Sequence, residues 1–195
     1  MMQPYHGHGP RTWKGRPWRR SRASYVRLGL LLIFSAILIV FGHHRSRWNA
    51  PHVGDPFPPS VTGRADPFDG DSLWVGDEEV RLKGIDAPEW KQECGRAGVS
   101  WKCGVAARDE LARAIGGNEV TCRISERDVY GRLLGNCVAN GRDLNAHMVS
   151  TGMAVAYGAF DSEQQAARSS RAGIWAGDFD NPRDWRAGNV ADEAR

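Results

Sequence analysis

The sequence predicts an α+β fold, a five-stranded Greek-key β-barrel with about three helices, preceded by a single N-terminal transmembrane helix. Short stretches in which apolar and polar residues alternate, separated by turns rich in glycine and asparagine, indicate the strands. Amphipathic segments that end at glycine indicate the helices. A basic and apolar leader in front of this pattern indicates the membrane segment.

The leader differs in charge from the rest of the chain. Residues 1–50 hold nine of the 26 Lys and Arg residues and none of the 23 Asp and Glu residues, which leaves residues 51–195 with a formal charge of −6. The alkaline pI of the whole chain therefore belongs to the leader. Because the domain has a net negative charge, it is not expected to bind nucleic acid through a broad basic face. Any such binding must use a local site.

Residues 25–42 are predicted to be a transmembrane signal anchor, because residues 28–42 are apolar and uncharged and the basic segment 1–24 precedes them. A cleaved secretory signal is the alternative, although no A-x-A site follows the run. In both cases the excess of Lys and Arg before the run keeps the N-terminus in the cytosol and exports the domain.

The remaining boundaries follow from proline and from the strand pattern. Residues 43–60 contain four prolines and are predicted to be an extended linker. The domain is predicted to span residues 61–187 and a short tail to span residues 188–195.

Four strands and three helices are assigned from local patterns. The strands are residues 72–75 and 79–85, a hairpin around Gly76-Asp77, and residues 119–124 and 132–139, which end at Asn140-Gly141. The helices are residues 105–115, which end at Gly116-Gly117, a short helix with Asp143 as N-cap and Gly152 as stop, and a last helix that begins at Ser162 with Gln165 in a capping box.

The four cysteines all lie in the domain and include no C-x-x-C pair, so a zinc site is not expected. In an oxidising compartment an even number of such residues indicates two disulfides. Of three possible pairings we favour Cys94–Cys103, which closes a short loop, and Cys122–Cys137, which flanks the second strand pair. Four buried free thiols are the alternative.

Acidic residues and one arginine, Arg81, cluster between Phe68 and Glu89, and a second candidate arginine, Arg132, ends the segment RDVYGR at residues 127–132. Carboxylates that hold a hard divalent ion, beside arginines that grip an oxyanion, suit chemistry on a phosphodiester. Taken singly, each piece also fits a plain structural role, such as the β-turn that Asp69-Gly70-Asp71 would form.

Four segments in register carry a resemblance to the staphylococcal-nuclease (thermonuclease) family. They are DGDSLWV (69–75), VRLKGIDAPE (80–89), DVYGR (128–132) and DLNAHMVSTGMAVAY (143–157). The resemblance runs from about residue 61 to residue 176 and implies an OB-fold barrel. The four-cysteine pattern and the ending FDNPRDWR (179–186) resemble exported bacterial relatives. This places the chain as a single-pass protein of the bacterial inner membrane, with its domain in the periplasm or outside the cell.

The resemblance implies a calcium site and a base. Asp71 and Asp86 match the family's calcium-ligand aspartates, and Asp69 matches an acidic neighbour behind them. Glu89 matches the glutamate that orients the attacking water and is proposed to deprotonate it. Ala87 replaces a threonine that is thought to bind calcium through its backbone carbonyl, so the change should be tolerated.

The resemblance also implies a phosphate site. Arg81 and Arg132 match the two arginines that contact the scissile phosphate, and Tyr130 and Tyr157 match tyrosines that line the nucleotide site. Val129 replaces a lysine that contacts the terminal phosphate. This chain therefore departs from the family in how it would bind that phosphate.

The expected activity is Ca²⁺-dependent hydrolysis of DNA and RNA with little sequence preference, leaving 3′-phosphate ends. One alternative is a catalytically weak OB-fold module that binds nucleic acid or another polyanion. Another is an accessory protein of the cell envelope, for example in exopolysaccharide assembly. A binding module has no need of the carboxylates, which favours the enzyme.

Overall fold

The computed structural model of the protein describes residues 56–193, with side chains through Asn189. Every described residue belongs to the compact unit that begins at Ala50. The predicted membrane segment 25–42, its basic flank and most of the linker lie outside the described residues. Within residues 56–193, none of the helices has both the length and the hydropathy needed to cross a bilayer.

The described residues form ten short strands, four α-helices and one 3₁₀ turn. The strands are β1 Ser60–Pro67, β2 Ser72–Val75, β3 Glu78–Leu82, β4 Ile85–Asp86, β5 Cys94–Arg96, β6 Val99–Trp101, β7 Glu119–Arg127, β8 Leu133–Ala139, β9 Arg142–Asp143 and β10 Val155–Ala156. The helices are α1 Cys103–Ile115, α2 Leu144–Ser150, α3 Asp161–Ser170 and α4 Pro182–Glu193, and the 3₁₀ turn is Gly173–Ala176.

Five of the strands close into a barrel. β1, β2 and β3 form an antiparallel meander, and β7 pairs antiparallel with both β1 and β8. The parallel pairing of β3 with β8, with Val80 opposite Leu133, closes the ring. Closure satisfies the backbone groups that an open sheet would leave at its edges. The predicted five-stranded OB-type barrel is confirmed.

One barrel strand and two separate two-stranded ladders were not predicted from the sequence. β1 was not assigned as a strand, and β5–β6 and β4–β10 form separate two-stranded ladders outside the barrel sheet. The predicted strand 79–85 is broken after Leu82, and its end, β4, turns away to pair with β10. This break brings Asp86 out of the barrel sheet and into the site described below.

The helices confirm some of the capping predictions and contradict one. Asp143 caps α2 by accepting a hydrogen bond from the backbone N–H of Ala146 at 2.9 Å. The capping box at Ser162 is wrong: α3 begins at Asp161, has no side-chain cap, and the hydroxyl of Ser162 donates to Glu163 instead. Helix α4 was not predicted and extends beyond residue 187, which makes four helices where about three were expected.

The core fills the barrel and continues under α1 and α2. Its largest fully buried apolar side chains are Leu73, Val80, Leu82, Leu111, Val120, Leu133, Leu144, Met148 and Val149.

Both predicted disulfides form, and none of the described cysteines is free. Cys122–Cys137 joins directly opposed residues of β7 and β8, and Cys94–Cys103 joins β5 to the first residue of α1. The predicted pairing is confirmed.

Candidate active site

The turn between β1 and β2 is a buried, packed element. Gly70 lies against α1, where a side chain would come within 2.7 Å of the β-carbons of both Ala87 and Ala107. The Asp71 carboxylate is 1% exposed and accepts hydrogen bonds from the Ala87 N–H at 2.9 Å and the Ser72 hydroxyl at 3.0 Å. A turn that served only to reverse the chain would be solvated, so the Asp69-Gly70-Asp71 segment is built to hold a carboxylate inside.

Arg81 bridges the two buried aspartates. It lies opposite Ser72 in the β2–β3 ladder, which places its side chain beside Asp71. Its guanidinium donates to both oxygens of Asp71 at 2.9 and 2.8 Å and to Asp86 at 2.7 Å. The two predicted metal-ligand aspartates therefore lie together, with one arginine fork between them.

Glu89 lies on the loop that follows β4, and that loop is held from two sides. Gly104 in the first turn of α1 packs so closely on the backbone of Glu89 that any side chain there would collide with the Glu89 carbonyl. The fully buried Gln92 accepts a hydrogen bond from the Glu89 N–H at 3.2 Å and donates to the carbonyl of Asp180 at 2.7 Å. This one side chain ties the Glu89 loop to the segment that leads into α4.

Arg186, on α4, completes the cluster and was not among the predicted site residues. Its guanidinium donates to both oxygens of Asp86 at 3.0 Å and to Glu89 at 2.6 Å. The sequence carried a signal for the helix, since Asn181 precedes a proline at the first helical position and accepts from the N–H of Arg183. It carried no local signal that Arg186 reaches residues a hundred positions away.

Arg132 lines the same open cleft, which has a volume of about 1060 Å³. Its guanidinium pairs with Asp128 at 2.7 Å, and Asp128 also accepts the backbone N–H groups of Tyr130 and Arg132. Tyr130 and Tyr157 line the cleft with their rings 76% and 63% exposed, open to a ligand. Val129 is 79% exposed and is absent from the cleft lining.

The cleft is short of positive charge around its carboxylates. Asp71, Asp86 and Glu89 pair with the guanidinium groups of Arg81 and Arg186, whereas Asp69 forms no salt bridge with any described residue. Burial, followed by the charge of Asp71, raises the pKa of Asp69 to about 7. Burial also raises the pKa of Asp71, against the opposing effect of Arg81. Carboxylates that are buried close together and have raised pKa values favour a bound cation, and their oxygens suit a divalent ion such as Ca²⁺.

The number of protein ligands is small. Within the described part of the chain, no three His, Cys, Asp or Glu side chains are arranged to hold a metal ion by themselves. A site with only two carboxylates would leave the rest of its coordination sphere to water or backbone carbonyls, as Ca²⁺ allows.

Asp69 gives this cluster a testable pH dependence. Because its pKa is near 7 in the folded protein and 3.8 when unperturbed, the folded state binds its proton more tightly and loses stability as the pH rises from about 4 to 7. Asp69→Asn removes that loss. In calcium-free buffer the variant should melt higher than the wild type at pH 8, by about 3 °C or more, and at the same temperature at pH 4. Equal differences at both pH values would contradict the shift.

Residues 79–177, just over half of the chain, match the family model described as Staphylococcal nuclease homologue. The chain belongs to the staphylococcal nuclease family. The match includes Arg81, Asp86, Glu89 and Arg132, which lie together in the cleft. Asp71 lies before the match and Arg186 after it.

Three relatives illustrate the range of this family. An uncharacterized endonuclease of Escherichia coli O157:H7 is 34% identical over 120 residues, which cover 56% of this chain and 72% of the relative. The succinoglycan biosynthesis protein ExoI of Rhizobium meliloti is 36% identical over 123 residues, 59% of this chain and 64% of the relative. The staphylococcal-like nuclease CAN1 of Arabidopsis thaliana is 29% identical over 126 residues, 61% of this chain and 36% of that longer protein. The chain thus spans just under two thirds of ExoI and about a third of CAN1.

Proposed function

We propose that this protein is a Ca²⁺-dependent nuclease that hydrolyses DNA and RNA with little sequence preference and leaves 3′-phosphate ends. The observation that carries the proposal is a continuous chain of alternating charges in one open cleft, in which Arg81 bridges Asp71 to Asp86 and Arg186 bridges Asp86 to Glu89. Relatives named as nucleases support nucleic acid as the substrate.

The cleft contains each group that phosphodiester hydrolysis requires. Asp71 and Asp86 would hold the calcium ion, which supplies positive charge against the oxygens of the phosphate. Arg81 and Arg132 both line the cleft, and their guanidinium forks can bind two oxygens of a phosphate at once. Glu89 would accept the proton of the attacking water. The exposed rings of Tyr130 and Tyr157 are available to sugar and base.

The paired carboxylates and arginines must separate before the phosphate binds. Arg81 is bonded to Asp71 and Asp86, and Arg132 to Asp128. Arg81, once free of Asp71 and Asp86, would present its guanidinium to the phosphate.

A second candidate function is an accessory role in the cell envelope. The observation that favours it is the similarity to ExoI, a protein named for succinoglycan biosynthesis.

For either function we propose export to the outer side of a bacterial inner membrane, with residues 25–42 as the anchor. The two disulfides support an oxidising compartment.

Calcium-dependent cleavage separates the two candidates. The full chain, purified in detergent under oxidising conditions, should cleave both DNA and RNA in Ca²⁺ and cleave neither in EDTA. Glu89→Gln removes the proton acceptor and should lower the cleavage rate about 10²–10⁴-fold. The matched control is Glu93→Gln, an exposed carboxylate nearby in the chain that does not line the cleft and should leave the rate unchanged.

The product ends test the bond that is broken. With 3′-phosphate products, the new 5′ ends are hydroxyls, so polynucleotide kinase should label them without prior phosphatase treatment. Folded, oxidised protein that shows no Ca²⁺-dependent cleavage would rule out the nuclease and leave the envelope role.

A further inference from the structure

Arg186 is the one arginine of the cluster that lies outside the family match, and in the sequence analysis it appears only as the last residue of the ending FDNPRDWR, without a role in the site. It occupies the second turn of α4, and its side chain is 38% exposed although its guanidinium makes three hydrogen bonds to carboxylates. Burial of a long side chain against two acidic residues costs rotamer freedom, so the contact requires an explanation.

Glu89 supplies that explanation. Among the described residues, Arg186 is the only group that hydrogen-bonds the Glu89 carboxylate, at 2.6 Å. The side chain of Glu89 is 25% exposed and stands on a loop, where an unheld glutamate would sample several rotamers. A proton acceptor must stay within hydrogen-bond distance of the water it activates, and a displacement of 1 Å can cost about 10²-fold in rate.

The same guanidinium fixes Glu89 relative to the metal ligands. Nη1 of Arg186 is shared between Glu89 and Asp86, and Nη2 binds the other oxygen of Asp86. The planar fork therefore sets the spacing of the two carboxylates. Lysine, a point charge on a flexible stem, does not fix two partners in this way.

The helix that carries Arg186 is itself anchored to the Glu89 loop. Gln92 contacts both the backbone of Glu89 and the carbonyl of Asp180, two residues before α4. The N–H of Gly95 donates to the carbonyl of Asp178 at 2.7 Å, and Asn181 accepts from the N–H of Arg183 in the first turn. The start of α4 is therefore tied to the elements that hold Glu89, which is the arrangement expected of a support for a reactive side chain.

We propose that Arg186 is a positioning residue, supplied by the C-terminal helix, that holds the Glu89 carboxylate in place next to Asp86 for water activation. The inference rests on the proposed nuclease function. It differs from a role in binding substrate, in which Arg186 would leave Glu89 and contact a phosphate oxygen directly.

A double-mutant cycle tests the inference in the full chain. Arg186→Ala should lower kcat by about 10²-fold and leave KM within about twofold, because the substrate loses no contact. In a Glu89→Ala background, Arg186→Ala should change kcat by less than about twofold, because the carboxylate that Arg186 holds in place is absent. Arg186→Lys should recover only part of the rate. Asn189→Ala, an exposed change on the same helix, is the matched control and should match the wild type.

Three outcomes would overturn the inference. A raised KM with unchanged kcat in Arg186→Ala would assign Arg186 to substrate binding. Additive effects of Arg186→Ala and Glu89→Ala on kcat would show that Arg186 does not act through Glu89. Full activity of Arg186→Lys would show that charge alone suffices.

Urea unfolding keeps the test independent of the nuclease assay. Arg186→Ala should lower the unfolding midpoint of the wild type more than that of Glu89→Ala, since the two side chains share a contact. If the wild type shows no Ca²⁺-dependent cleavage, the proposed function fails and the catalytic purpose of the contact fails with it. The urea experiment then tests only whether Arg186 and Glu89 interact. A larger shift of the unfolding midpoint by Arg186→Ala in the wild type than in Glu89→Ala supports the interaction, and equal shifts overturn it.

Discussion

Arg81→Ala is expected to lower kcat/KM by about 10²–10³-fold, because one of the two guanidinium groups facing the phosphate is removed. It is also expected to lower the free energy of unfolding in calcium-free buffer by about 3 kcal/mol. The second effect follows from burial: Asp71 and Asp86 are 1% and 4% exposed, and Arg81 bridges both. The measurements are initial cleavage rates and urea unfolding of the same preparations.

Calcium should separate the two effects of this substitution. A divalent ion between Asp71 and Asp86 replaces the lost charge, so added Ca²⁺ should restore more stability to Arg81→Ala than to the wild type. The cleavage rate should stay low, because the ion does not replace the fork on the phosphate. Arg81→Lys is the control, with stability near the wild type and a low rate, since ammonium is not bidentate. Wild-type activity in Arg81→Ala would contradict the assignment.

Removal of the Cys122–Cys137 disulfide is expected to lower the free energy of unfolding by about 3 kcal/mol. The bridge closes a loop with a sequence separation of 15 and joins directly opposed residues of the β7–β8 ladder inside the core. The double variant Cys122→Ser/Cys137→Ser should therefore unfold at a lower urea concentration. Its m-value should rise, because the unfolded chain becomes more open.

The second disulfide provides a comparison of matched chemistry. Cys94–Cys103 has a sequence separation of 9, so its entropic contribution is smaller. It joins β5 to α1, whose first turn packs on Glu89. Cys94→Ser/Cys103→Ser should therefore lose less stability and more cleavage rate than the first pair. Equal unfolding midpoints for the Cys122→Ser/Cys137→Ser variant and the wild type would contradict the predicted contribution of that bridge.

Elements with local signals were predicted well. The β2–β3 hairpin turns at Gly76-Asp77, α1 ends at Gly116 in the left-handed conformation, and Asp143 caps α2. In each case the residue type fixes a dihedral angle or supplies a hydrogen bond within four positions. The four strands named from alternation also exist, with ends that shift by a few residues.

Elements without such signals were missed or misassigned. β1 has the sequence SVTGRADP, in which glycine, charges and proline hide the alternation that its half-buried face follows. Ser162 looks like a cap, yet α3 starts one residue earlier and Gln164 accepts from the N–H of Ala156. Here tertiary contacts with β10 override the local preference.

The site residues divide in the same way, into those that a local sequence signal identifies and one that no such signal identifies. The motifs brought Asp71, Arg81, Asp86 and Glu89 into one hypothesis, and the fold places them together. Arg186 was missed because its partners are fixed by the docking of α4 through Gln92 and Gly95, contacts that no periodicity encodes. Asn181-Pro182 is a signal for the start of the helix, but Gly188 together with the polar composition of α4 obscured it.

The bond from Arg186 to Asp86 joins residues that are a hundred positions apart in the chain. During synthesis the carboxylates of the cleft emerge long before their last partner does. If Arg186 holds Glu89 in place, a partly made chain contains the acidic cluster, the barrel strands and both cysteine pairs and still lacks its hydrolytic geometry. The order of translation would then act as a time delay, and hydrolysis would begin only after α4 has been made and has docked.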